Sequence, residues 1–180
     1  DRVNFESPNV VLAHAERECL RMADIVNSMI KDSLQDSLDD NQDLVEDIRA
    51  RDNKVDILNR EISLFITKFM DSNDGILHRQ MVRLFGYASD IESAADVVDN
   101  SILDLARKKH SLKLDFSDSG WREIENLHIA VMEVAQLSVS CFQLQDKDLA
   151  AKVVFKKRVI RKMEKTMREA HIERLVQGRQ

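Results

Sequence analysis

The chain has 180 residues, 33% of them charged, with four glycines, one proline, 5% aromatic residues and a net charge of −5. So few turn formers exclude a turn-rich β architecture and favour long helices around a core of Leu, Ile, Val, Met and Ala. Two cysteines without CxxC spacing, Cys19 and Cys141, exclude a zinc knuckle or a disulfide framework; they read as small core residues in a reducing compartment.

Apolar residues recur at alternating steps of three and four, the pattern of long antiparallel bundle helices. The first seam runs Leu12, Ala15, Cys19, Met22, Val26 and Met29, with Pro8 suited to the first helical turn. After the polar turn SLDDNQD (37–43) a second seam runs Leu44, Ile48, Val55, Leu58, Ile62, Phe65 and Phe69. DSNDG (71–75) breaks it, and a third follows through Leu77, Met81, Leu84, Ala88, Ile91, Ala95, Val98, Ile102 and Leu105. HSLKLDFSDSG (110–120) has no seam and reads as a linker, with Asp118 or Ser119 as a cap for the next helix. The fourth helix runs through Ile124, Leu127, Val131, Val134, Ser138 and Cys141. QDKD (145–148) is a short break or a polar turn of helix. A fifth seam runs Val153, Ile160, Met163, Met167 and Ala170, ended by Gly178. The expected fold is therefore all-α, five long helices, three then two. No apolar run approaches a membrane span, and no signal peptide opens the chain. The start at Asp1 without a Met suits a piece of a longer protein.

Charge is unevenly placed. Residues 1–146 hold 16 basic and 28 acidic side chains, a net of −12, whereas 147–180 hold 11 and 4, a net of +7. An acidic region concentrates cations, and a basic tail suits an acidic partner or a membrane surface. In YASDIESAADVVDNS (87–101) four acids stand without a Lys or Arg. Glu92, Asp96 and Asn100 are spaced i, i+4, i+8, and Asp52 and Asp56 in the second helix are also i, i+4. Like charges one turn apart repel by a few tenths of a kcal/mol. Two readings fit this spacing: a solvated acidic face, or carboxylates converging on a hard cation such as Mg, Mn, Ca or oxidised iron. Asp90 and Asp99 lie off the stripe and read as solvated.

A carboxylate-bridged di-iron enzyme would need a Glu-x-x-His pair on each of two helices, and only Glu125 with His128 fits. His14 and Glu18 form an i, i+4 pair of the kind common on surfaces. No glycine-rich loop suits a nucleotide phosphate. The basic run KKRVIRKMEK (156–165) lacks interleaved aromatics, so nucleic acid is not expected as a partner. A metal-free helical adaptor remains compatible with the pattern.

The stretch SDIESAADVVDNSILDLA (89–106) resembles the third helix of the PhoU family, typically "LERIGDHAVNIAE", with Glu92, Asp96 and Asn100 at its acid, Asp and Asn positions. RDNKVDILNREI (51–62) is similar to the second-helix pattern "DDEIDALEREI", which places the paired acids at Asp52 and Asp56. FSDSGWREIENLH (116–128) resembles "FSEEGREEIEELH". The opening SPNVVLAHAERECLRMADIV (7–26), and His171, Arg174 and Leu175 in the pattern HxxRL, are similar to the branch that forms the cytoplasmic tail of type II sodium/phosphate cotransporters.

That resemblance implies a PhoU-like bundle of two three-helix repeats, the first over about 9–109, a linker at 110–119 and an incomplete second repeat over about 120–178. It implies a regulatory, non-catalytic role in phosphate transport, either as a transporter tail on the cytoplasmic side of the inner membrane or as a separate regulator. It also implies a divalent or trivalent ion (Fe, Mn, Mg or Zn) at Asp52, Asp56, Glu92 and Asp96, with Asn100 as auxiliary ligand. The implied partner is the membrane domain of the same polypeptide. Aligning Val55 with Ile160 places Lys157 and Arg161 where Asp52 and Asp56 stand, so the second repeat's site is expected to be lost. The apolar face left uncovered on the last two helices points to a homodimer.

Overall fold

The computed structural model describes residues 8–34, 41–68 and 75–178. Among them the regular structure is wholly helical: α1 (Pro8–Asp32), α2 (Gln42–Thr67), α3 (Gly75–Asp96), a π-turn (Val97–Ile102), α4 (Leu103–Leu112), α5 (Asp118–Leu144) and α6 (Lys147–Val176). The helix is unbroken from Gly75 to Leu112, so the described residues form five rods in the expected all-α order. Phe69, most of the turn at 71–75 and residues 37–40 of the first polar turn lie outside the described residues.

The chain divides into two compact units. The first comprises described residues 8–33 and 41–104, where α1, α2 and α3 pack on one another around a shared core. Val11, Ala15, Cys19, Met22, Val26 and Met29 form the α1 face of that core. The α1 seam begins at Val11, four residues before Ala15, and leaves Leu12 half-buried. On α2 the buried set is Val45, Ile48, Asp52, Val55, Leu58, Ile62 and Ile66, so Val45 and Ile66 take the places expected of Leu44 and Phe65. Burial by desolvation drives the Cys19 thiol up to about 12, with nearby Glu16 adding to it, so the cysteine is a core group and not a nucleophile. Arg51 ties α2 to α1 by donating from Nη1 to Ser28 Oγ at 2.9 Å and pairing through Nη2 with Asp32 at 2.8 Å.

The third seam departs from its expected course. The Leu103 N–H donates to the Val98 carbonyl five residues back, which makes 97–102 a π-turn. A π-turn takes up one extra residue, so the core position after Val98 falls on Leu103 and not on Ile102. Leu103 is fully buried and Leu105 is 63% exposed, which corrects the expectation that Ile102 and Leu105 face the core.

The second unit, from residue 105 onward, is built on the α5–α6 hairpin. Ser117, in extended backbone, caps α5 by accepting from the Gly120 N–H at 3.2 Å; the expected caps Asp118 and Ser119 lie inside the helix or beside the true cap. The helix breaks at Gln145, in the left-handed region with φ 52°, and Asp146 caps α6 by accepting from Asp148 and Leu149. Antiparallel packing brings Arg174 at the end of α6 onto Glu123 at the start of α5, in a two-pronged pair at 2.7 and 2.8 Å. That pair holds the Glu123 carboxyl below its ordinary value. Replacing Arg174 with Ala is expected to return the Glu123 titration midpoint upward to the usual glutamate range, read by carbon-detected NMR.

Phe142 is the hairpin's buried apolar side chain among the described residues, while Ile129, Phe155, Ile172 and Val176 stand more than half exposed. The expectation that no apolar run suits a membrane is corrected at α5, which is long and apolar enough by length and composition to cross one. The reason is local: residues 126–143 contain one charged side chain, Glu133.

Candidate functional site

The α2 seam has a gap where an apolar residue is due between Ile48 and Val55, and Asp52 fills it. Its position is four residues after Ile48 and three before Val55, so the helix turns this carboxylate inward whatever its charge. Asp52 is 8% exposed, and its Oδ1 has no hydrogen-bond partner in the protein. Burial pushes its carboxyl up from 3.8 to about 6, and the charges of Asp56, Asp99, Asp96 and Glu92 push the same way.

The four carboxylates expected from spacing therefore do act on one another. Asp56, one turn along α2, is half-buried, and Glu92 on α3 is half-buried with its carboxyl raised by burial and then by Asp96 and Asp56. Asp96 is exposed and accepts a hydrogen bond from Asn100 Nδ2 at 3.1 Å. Asn100 thus orients a carboxylate, whatever else it binds. Asp90 is exposed, as its place off the stripe requires.

Asp99 is not the solvated side chain expected. It stands four residues after buried Ala95 and next to buried Val98, its side chain is 19% exposed, and its Oδ1 accepts from Arg49 Nε at 3.4 Å. Arg49 and Asp99 are not among the site residues the sequence suggests, because Asp99 falls off the stripe of Glu92, Asp96 and Asn100. Arg49 stands three residues before Asp52 on α2, a spacing that could have pointed to it.

Among the described residues no three His, Cys, Asp or Glu side chains already converge closely enough to hold a metal ion together. The donor set still fits one in kind: it is all oxygen, as hard cations require, and one of its oxygens is buried without a partner. The other candidates fall away from this surface. His14 Nδ1 lies 3.1 Å from Arg17, and Glu18 pairs with Arg17 and Arg21. Glu125 is exposed and His128 half-buried on α5. Lys157 and Arg161 are exposed on α6, and their neighbour Lys156 pairs with Glu133 at 2.7 Å.

The first unit is thus a three-rod α-bundle whose second and third rods carry carboxylates that act on one another. Residues 19–102 match the family model described as PhoU domain.

The chain is 24% identical over 174 residues to a putative inorganic phosphate export protein, YjbB, of Salmonella typhimurium, and 22% identical over 174 residues to the protein of that name in Escherichia coli K12. These alignments cover 96% of this chain and 32% of each relative, so the chain spans about a third of their length. It is also 25% identical over 183 residues to phosphate-specific transport system accessory protein PhoU homolog 1 of Thermotoga maritima, covering 99% of this chain and 75% of that one. No solved structure matches.

Proposed function

We propose that this PhoU domain is a regulatory, non-catalytic module of phosphate transport whose first unit takes a divalent or trivalent cation. Asp52, Asp56, Glu92 and Asp96 would hold the ion, and Asn100 would orient Asp96. The ion would supply positive charge to an acidic surface that is otherwise self-repelling. The observation that carries the cation reading is Asp52, a core-position carboxylate with an unpartnered oxygen among four other acids.

The names of the relatives support a role in phosphate transport; they speak of phosphate export and of an accessory protein, and neither mentions sodium. A separate accessory regulator on the cytoplasmic side is therefore favoured over a sodium/phosphate cotransporter tail. Fractionation of the native gene product tests this: recovery with integral membrane proteins after an alkaline wash would overturn it. A homodimer through the exposed apolar side chains of α5 and α6 belongs to the same reading, and a monomer in sedimentation equilibrium would refute that part.

Thermal unfolding with and without Mn, Mg, Zn or Fe tests the ion. The wild-type midpoint is expected to rise with at least one of them, Asp96→Asn to lose most of that rise, and Asp90→Asn to keep it. No rise with any metal would leave the acids as a solvated face. Phosphate uptake and export in cells lacking the gene, complemented with wild type or Asp96→Asn, then tests the regulatory role.

A further inference from the structure

The acidic surface contains a cation of its own. Arg49 lies on α2 one turn before Asp52 and donates from Nε to Asp99 at 3.4 Å. Asp99 lies within the π-turn, and its charge is among those that act on Asp52. Both side chains are part-buried, 37% exposed for Arg49 and 19% for Asp99, so the pair is shielded from salt more than a surface pair would be. Asp52, 8% exposed with an unpartnered Oδ1, supplies an oxygen ready for a ligand beside it.

We propose that Arg49 is the internal counter-cation of this site, holding Asp99 in the cation-free chain and yielding it as a fifth oxygen donor when a hard divalent cation binds. The guanidinium and the metal compete for the same carboxylate. Arg49 suits the holding role: it cannot lose its proton, yet a single N–H···O contact at this length is weak enough to be displaced. The π-turn suits the yielding role, because such turns are local distortions that recur at functional sites. No covalent step is involved; one ion pair is exchanged for another. The inference rests on the cation reading above and adds to it which residue sets the affinity.

The experiment is Mn2+ titration by electron paramagnetic resonance on the wild-type chain and on Arg49→Gln, Asp99→Asn, the double variant and Lys54→Gln. Lys54 is exposed on α2 and serves as the control for loss of any nearby positive charge. Arg49→Gln is expected to bind Mn2+ roughly five- to tenfold tighter, the effect of removing one close charge at a part-buried site. Asp99→Asn is expected to bind more weakly, and in its background Arg49→Gln should gain much less. Lys54→Gln should gain little, and that little should vanish at high salt.

Unchanged affinity in Arg49→Gln, with wild type binding normally, overturns the competition and leaves the site. An equal gain in Lys54→Gln overturns it too. Binding by Arg49→Gln alone upholds it in its strongest form. Binding by no variant overturns both the competition and the site.

Discussion

Truncating Leu103 to Ala is expected to destabilise the first unit by about 2–4 kcal/mol, whereas truncating Leu105 should change its stability by less than about 0.5 kcal/mol. Both are leucines two residues apart in one unbroken rod, and a regular α-helix would have placed Leu105 on the seam that continues from Val98. The π-turn moves the core position to Leu103, which is fully buried, and leaves Leu105 63% exposed. Removing a buried leucine loses its transfer free energy and leaves a cavity, and neither effect operates at an exposed site. Urea unfolding of the two variants, compared by midpoint at constant slope, separates them. A larger loss for Leu105→Ala would mean that the helix runs regularly through 97–102.

Replacing Asp52 with Asn is expected to stabilise the metal-free first unit at pH 7 by about 1–2 kcal/mol, and to abolish any rise in stability of the wild type on mild acidification. The sign follows from the direction of the shift. The Asp52 carboxyl titrates at about 6 when folded, above its ordinary 3.8, so the folded state binds the proton more tightly. Its stabilising contribution is full below about pH 4 and is lost as pH rises through about 6. Two pH units would be worth at most about 3 kcal/mol; the exposure of Asp96 and the half-burial of Asp56 and Glu92 screen part of it, giving the lower figure. Asparagine keeps the shape and removes the charge that burial and four other carboxylates oppose. Thermal unfolding between pH 5 and pH 8 in a chelator gives the comparison. A wild type whose midpoint falls from pH 7 to pH 5.5 while Asp52→Asn stays level would refute it.

Much of the first unit was legible in the sequence, because seams of three and four steps impose a helix and its inward face together. The seam residues from Ala15 to Met29 and from Leu77 to Ala88 are buried as periodicity requires. Asp52 was legible as half of an i, i+4 acid pair; that it occupies the seam position between Ile48 and Val55 is a finding of the structure. The π-turn was not legible, since Ile102 and Leu103 are equally apolar and either could continue the pattern. Only packing decides between them. The cap of α5 failed for a simpler reason: FSDS offers Ser117, Asp118 and Ser119 in succession, and backbone geometry selects the first. On α5 the expected seam from Ile124 to Cys141 is half-buried throughout and the buried side chain is Phe142, while the apolar content of the same helix suits a membrane as well as a hairpin.

The sparse burial within the α5–α6 hairpin bears on how the chain comes apart. A unit with one buried apolar side chain among its described residues has little to hold its helices against fraying, whereas the first unit carries a continuous core on three rods. Opening should therefore occur in two separate cooperative blocks rather than in one all-or-none event. Native-state hydrogen exchange would see the amides of 118–176 open at low cost, well before those of 44–66. A metal that binds among the acids of the first unit would slow exchange there and leave the hairpin's rates unchanged.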